Sequence, residues 1–251
     1  MNNFFRIACL LATVVAILVV WTAVTEFGMV NESLFPGPPK VLAAFVEMSK
    51  TGELVGDSAA SLSRVLLGFF IGGVFGIALG LLTGRIEQLN LTAGQLLHFL
   101  RNIPPIAFVP LAIVWFGIGE FSKIFLVVWS VTFPVWINTH VGVAQIQKEY
   151  VWIAEMFGAT KLQAFKEVVL PASTNYIITG LRIGIGMAFI ALVAAELTAA
   201  ASGIGFRISN SHLLFRTDKM LVGILLLGFF GMLADKLFVF LARKTPYGRE
   251  L

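Results

Sequence analysis

WIAEMFGATKLQAFKEVVLPAS, running from Trp152 to Ser173, is the stretch on which the reading of this chain turns. It carries Glu155, Lys161, Lys166 and Glu167 between two long apolar runs, Phe121 to Val143 before it and Asn175 to Ala199 after it. Each run has the length of about 20 residues that an α-helix needs to cross the hydrocarbon of a bilayer. A charged connector between two such runs stays in water, so it is a loop at a membrane surface. Thr160 to Val168 can form a short helix with Leu162 and Phe165 on one side and Lys161, Gln163 and Lys166 elsewhere. An apolar pair on a short polar helix suits a groove in a partner protein, and a helix lying in the membrane interface is the alternative.

Working outward, four more runs have spanning length: Ile7 to Thr25, Val65 to Thr83, Gly94 to Phe116 and Leu221 to Ala242. The whole chain of 251 residues is 58% hydrophobic and 13% charged, with a mean hydropathy of +0.90. A soluble domain carries about 25% charged residues, so a water-soluble enzyme is excluded, and so is disorder, which requires low hydrophobicity. The expected fold is an all-α polytopic membrane protein with six transmembrane helices. The net charge of +4 comes from 18 Lys and Arg scattered singly, which gives no nucleic-acid footprint. Cys9 is the single cysteine, and His98, His140 and His212 lie far apart without ligand spacing, so no disulfide and no metal site is expected.

An inside N-terminus places Arg6, Arg85, Lys148, Lys161, Lys166, Arg243, Lys244 and Arg249 in the cytoplasm, with Lys40, Lys50, Arg64, Lys123, Arg207, Arg216 and Lys219 outside. This imbalance supports that orientation only weakly. Glu26 to Arg64 is read as a long extracytoplasmic segment. Pro36, Pro38 and Pro39 make an extended entry to it, and Lys40 to Lys50 forms a short amphipathic helix.

Several residues inside the spans carry mechanism. Gly68, Gly72, Gly76, Gly80 and Gly84 recur every fourth position, which puts a surface without side chains on one helix face and lets another backbone approach closely. Arg101, Asn102, Pro104, Pro105 and Pro110 interrupt the third run. Proline removes a backbone donor and obstructs the preceding turn, so the third span breaks. That break either lines a solute pathway or is a kink from which Arg101 snorkels to the headgroups. Arg182 and Glu196 in the fifth run and Asn138 in the fourth are further pathway candidates, with interfacial snorkelling or ordinary packing as the alternative. No Gly-Lys dipeptide occurs, so the chain carries no phosphate-binding P-loop and any ATP is bound elsewhere.

The stretch from Trp152 resembles the cytoplasmic coupling loop of ABC importer permeases, Glu-Ala-Ala-x3-Gly-x9-Ile-x-Leu-Pro. Gly158 stands at the motif glycine, nine residues follow, and Val168, Val169, Leu170 and Pro171 complete it. Upstream only Ala154 agrees, because Trp152 and Ile153 occupy the Glu-Ala positions. IPPIAFVPLAIVWFGIGEFSKIF from Ile103, TGLRIGIGMAFIALVAAELTAAASGIGF from Thr179 and SLSRVLLGFFIGGVFGIALGLLTG from Ser61 are similar to the nitrate/sulfonate/taurine branch of these permeases.

The resemblance implies a type I ABC importer permease-like fold. Residues 1–64 would form an anchoring helix with an extracytoplasmic segment, and residues 65–251 a permease core with the coupling loop at 145–173. It implies a homodimer in a bacterial inner membrane, both termini cytoplasmic. Two ABC ATPase subunits that bind ATP and Mg would sit beneath it, and an extracytoplasmic solute-binding protein would deliver a small anion such as a sulfonate, taurine or nitrate. No cofactor is expected in this chain. Ala154, Gly158, Ala159, Leu162, Phe165, Val168, Leu170 and Pro171 would make the ATPase contact. Arg101, Pro104, Pro105, Asn138, Arg182 and Glu196 are the candidate path. The rival class is a stand-alone transporter or channel driven by an ion gradient. It would need carboxylates in mid-span, and only Glu196 and Asp235 come near that.

Overall fold

A computed structural model describes residues 3–246, and all the regular structure in them is helical. Arg249 lies outside the described residues, as does the side chain of Arg6. We number the helices α1 (Asn3–Glu26), α2 (Pro38–Lys50), α3 (Glu53–Arg85), α4 (Glu87–Leu100), α5 (Pro105–Phe116), α6 (Glu120–Ala144), α7 (Lys148–Met156), α8 (Lys161–Thr198), α9 (Ile204–Leu213) and α10 (Thr217–Arg243).

Among the described residues α3, α6, α8 and α10 are long and apolar enough to cross a bilayer, and α4 with α5 forms a fifth span bent by 85°. Four or five of the six expected spans meet that measure, and the first expected run lies in α1, a helix of 24 residues. The bend matches the expected break and follows from local chemistry. Pro104 and Pro105 supply no backbone N–H to continue α4, and Pro104 takes an extended ψ of 135° before a 3-10 turn begins at Pro105.

The second run needs a larger correction. Helix α3 begins at Glu53 rather than Val65, so much of the segment read as a loop is helical and residues 64 and 65 share one helix. At about 1.5 Å per residue it far exceeds the roughly 30 Å of hydrocarbon. Asp57, Ser61 and Arg64 are buried at 7%, 1% and 2% exposure on the face that continues as the glycine stripe. A polar stripe and a glycine stripe in one register mark one face of α3 that is buried along the helix, while Leu66, Phe70 and Phe75 on its other side are exposed.

That stripe sits against α6 in strict register. A Cβ on Gly72 would lie 2.8 Å from the Val128 carbonyl oxygen, on Gly76 2.7 Å from that of Thr132, and on Gly84 2.7 Å from the Val143 Cβ. Gly68 and Gly80 meet Val127 and Thr139 in the same way. The two backbones are therefore as close as helices can come, and only glycine permits it. Helix α8 packs on the neighbouring face of α6 and also touches α3, where Leu181 lies beside Gly73. Val65, Val127, Val131, Val135, Ile185, Ala188 and Leu192 form the core where the three helices meet.

Helix α2 covers one end of α10 through Val41, Ala44, Met48 and Val222, and Trp21 of α1 joins it, its indole N–H donating to the Pro36 carbonyl at 3.2 Å.

Candidate functional site

Residues 145–173 lie at the end of the bundle where α6 stops and α8 starts. The expected loop is mostly helix. Helix α7 ends in a Schellman cap, with the Gly158 N–H donating to the Glu155 carbonyl at 2.9 Å and the Ala159 N–H to the Ala154 carbonyl at 3.0 Å. Closing the cap puts Gly158 at φ +87°, a left-handed conformation costly for any residue with a Cβ. Two residues later Thr160 starts α8 with a capping box: the Gln163 N–H donates to Thr160 Oγ1 at 3.3 Å, and the Thr160 N–H donates to Gln163 Oε1 at 2.8 Å. The connector is thus a helix-turn-helix closed at its turn by backbone and side-chain hydrogen bonds.

The helix expected to finish at Val168 does not finish. It widens into a π-turn over Phe165–Val169 and runs on as α8 to Thr198. Pro171 explains the widening, since its ring would strike the carbonyl of Glu167 in a regular α-turn. The apolar pair is also divided. Leu162 is exposed, whereas Phe165 turns inward and packs with Val143, Val151, Ala164 and Val169, as does Ala154. Val168 is half-buried and Leu170 is exposed. The most exposed apolar groups of this connector are Met156 at 85% and Phe157 at 90%, on the last turn of α7 beside Gly158. The sequence does not mark them, because their exposure depends on how α7 packs against the first turns of α8.

The pathway candidates fall into three places. Arg101, Pro105 and Asn138 line one cavity of about 320 Å³, with Ile103, Trp129 and Ile183 among its other walls. Pro104 is in the bend beside it. Asn138 donates its amide N–H to the Pro134 carbonyl at 2.8 Å. Arg182 is elsewhere, in a cleft of about 570 Å³ between α8 and α10, where it pairs with Asp235 at 2.7 Å and 3.1 Å through Nε and Nη2. Ile183 lines both spaces, so they flank α8 at one depth.

Glu196 is in neither cavity. It is 1% exposed at the opposite end of the bundle, where Arg64 Nη1 reaches its Oε1 at 2.5 Å, Ser61 Oγ donates to it at 2.9 Å, and the Gly205 N–H donates to its Oε2 at 2.9 Å. Arg64 also forks onto Glu120 at 2.6 Å and 2.8 Å and bonds the Ser202 carbonyl at 2.7 Å. Asp57 accepts from the Gly203 N–H at 2.9 Å and from Arg207 Nε at 2.7 Å. This network ties the link between α8 and α9 to α3 and α6. Charges buried together in this way need every partner, because removing one leaves another uncompensated. Sequence gave no signal for it beyond the polar positions 57, 61 and 64 in line with the glycines. Further along the same end, Lys219 and Arg216 hydrogen-bond Glu47 at 2.9 Å and hold its carboxyl below the usual carboxylate range.

Both carboxylates that a gradient-driven transporter would need are therefore committed to arginines. No group of three or more metal-ligating side chains occurs among the described residues.

Residues 72–246 match the family described as binding-protein-dependent transport system inner membrane component. The chain is 32% identical over 247 residues to a taurine transport system permease protein of Escherichia coli, covering 96% of this chain and 90% of that one. It is 34% identical over 249 residues to a bicarbonate transport system permease protein of Synechococcus elongatus, covering 93% and 87% respectively. Among solved structures, the inward-facing MetNI methionine ABC transporter superposes with a TM-score of 0.58 at 20% identity, over 76% of this chain and 98% of that one. At that identity the likeness concerns the fold. The chain belongs to the binding-protein-dependent ABC importer permeases, in their nitrate/sulfonate/taurine branch.

Proposed function

We propose that this chain is the membrane subunit of an ATP-driven importer and that it moves a small anion into the cytoplasm by alternating access. The observation that carries this reading is the continuity of α8. One helix of 38 residues starts in the capped turn at Lys161 and forms, at Ile183, the wall between both mid-bundle cavities. Over the 22 residues between those points it spans about 33 Å. A push on the turn moves that wall, because a hydrogen-bonded helix held by a capping box and a Schellman turn has little slack.

Two copies of the chain would face two ATPase subunits in the cytoplasm at residues 145–173, and a binding protein would deliver solute at the Arg64 end. Both termini are then cytoplasmic. Exposed Met156 and Phe157, with Leu162, offer the apolar knobs for the ATPase groove, and Gly158, Ala159 and Pro171 set their geometry. ATP-bound and ATP-free partners must hold this turn differently, since a partner that bound both states equally would shift nothing. The relatives named for taurine and bicarbonate support an oxoanion as cargo.

The test is the double substitution Met156→Asp and Phe157→Asp. Both side chains are exposed, so insertion and thermal stability remain as in the parent chain, while ATPase co-purification and ATP-dependent uptake are lost. Retention of the ATPase at the parent stoichiometry overturns this docking assignment.

A further inference from the structure

Helix α9 ends in a strained turn. Phe215 has φ +54°, the single left-handed residue other than glycine among the described residues. The turn itself is the cause. The Arg216 N–H donates to the Ser211 carbonyl at 2.9 Å and the Phe215 N–H to the His212 carbonyl at 3.1 Å, a Schellman cap that puts Phe215 where glycine usually stands. A Cβ is unfavourable in that conformation. Apolar exposure is unfavourable too, yet Leu213, Leu214 and Phe215 are 72%, 64% and 85% exposed. Both penalties fall on one turn, and side chains so exposed have little contact within the chain to offset them, so what offsets them lies outside it.

The position of the turn says what that is. Helix α10 starts at Thr217, four residues before its apolar run begins at Leu221. That is about 6 Å along the axis, close to the thickness of one headgroup layer. Thr217 Oγ1 donates to the Ser33 carbonyl at 2.7 Å, so the turn lies beside the link that leaves α1, where Phe27 and Leu34 are also exposed. Further along α10, Leu225 and Phe229 are exposed and border an apolar groove of about 350 Å³ with Leu18, Leu42 and Phe45. Apolar exposure thus begins at the turn and continues down the flank of the span, as on a surface that enters lipid. The charges beside the turn, Arg216 and Lys219, are paired with Asp218 and Glu47, so insertion desolvates no isolated ion.

We propose that Leu213, Leu214 and Phe215 form a lipid anchor, their side chains inserted at the boundary between headgroups and acyl chains. Leu and Phe at the end of a short helix suit this layer, where such groups bury about 5–10 Å deep. The insertion follows from the span ends, and only the naming of the leaflet as the outer one rests on the importer reading above. Helix α9 then acts as a strut. At its start the Gly203 N–H donates to Asp57 and the Gly205 N–H to Glu196, each at 2.9 Å, so the charged network holds that end and lipid holds the other. The link from α8 to α10 is fixed at both ends while α8 is pushed from the opposite side of the bundle.

The experiment uses the full chain in phosphatidylcholine nanodiscs. In a Cys9→Ser background, Phe215→Cys is labelled with a nitrobenzoxadiazole fluorophore, and Leu214→Cys provides a second position should the first disturb the turn. Leu225→Cys, on the exposed flank of α10, is the lipid reference, and Met156→Cys, on the exposed connector, is the water reference. Variants are compared only where the melting temperature matches that of the parent chain. The label at position 215 should emit blue-shifted from that at position 156. It should lose emission to a phosphatidylcholine carrying a nitroxide near the top of its acyl chain, to an extent comparable with position 225, and aqueous iodide should leave it unchanged. Labels at 214 and 215 that iodide quenches as it does at 156, and that the nitroxide lipid does not, overturn the anchor. Protection that appears only when a soluble binding protein is added also overturns it and assigns the turn to a protein partner. The measurement needs neither transport nor a sided membrane, so an anchor refuted in this way leaves the importer reading standing, and a failure of that reading leaves the quenching result intact.

Discussion

Substituting Gly76 by alanine tests the closest contact in the fold. A Cβ there would lie 2.7 Å from the Thr132 carbonyl oxygen and 2.7 Å from the Val135 Cβ. Neither atom can rotate away, one being backbone and the other fixed to it. Ordinary contact begins near 3.4 Å, so α3 and α6 must part by about 0.7 Å at this point. Both helices are regular, and the parting propagates to the neighbouring positions at Gly72 and Gly80, where dispersion contacts weaken together. Overpacking of this kind costs about 1–3 kcal/mol. Gly56→Ala is the matched control: it lies on the same helix, a Cβ there meets nothing within 4 Å, and the change adds helix propensity. Thermal unfolding of the purified complex should show a midpoint lowered by on the order of 5 °C for Gly76→Ala and unchanged or raised for Gly56→Ala. Equal midpoints for the two variants would refute the claim that backbone proximity along the stripe holds these helices together.

Arg64→Met should destabilise the chain by about 3–5 kcal/mol, because Glu196 remains buried without its cation, and adding Glu196→Gln should recover part of the loss in the same melt. Gly158→Ala fits sterically but must hold φ +87°, so it should cost about 1 kcal/mol and reduce coupled ATP hydrolysis; Gly158→Asn, which tolerates that region better, should reduce it less. Glu47 has a carboxyl held below its unfolded value by Lys219 and Arg216, so its contribution is present above the usual carboxylate range and fades as pH falls through the lowered value. Glu47→Gln should therefore melt below the parent chain at neutral pH, and the two curves should converge in acid; a constant gap across that window would contradict this.

Periodicity and motif made several elements legible before any coordinates. The glycine repeat announced a helix face for close approach, though it could not name α6 as the neighbour. Proline at 104 and 105 announced the break, and the spacing from Gly158 to Pro171 announced the turn and the helix start between α7 and α8. The start of α3 was hidden because Glu53 to Arg64 is polar, and a hydropathy ruler ends a span where polarity begins. The division of Leu162 from Phe165 was hidden because side chains three apart on a helix point about 60° apart, and only the packing of Phe165 against Val143, Val151 and Val169 decides which of the two is covered.

What the sequence by itself determined was local: which stretches are apolar enough to span, where a missing N–H interrupts a helix, and where glycine spacing clears a face. Those are consequences of residues within a turn or two of one another. The tertiary structure alone decided which charges are spent. Arg64 meets Glu196 across 132 positions and Arg182 meets Asp235 across 53. Such pairings depend on the register in which whole helices pack, because a charge in an apolar medium needs a partner that residues near it in sequence do not supply.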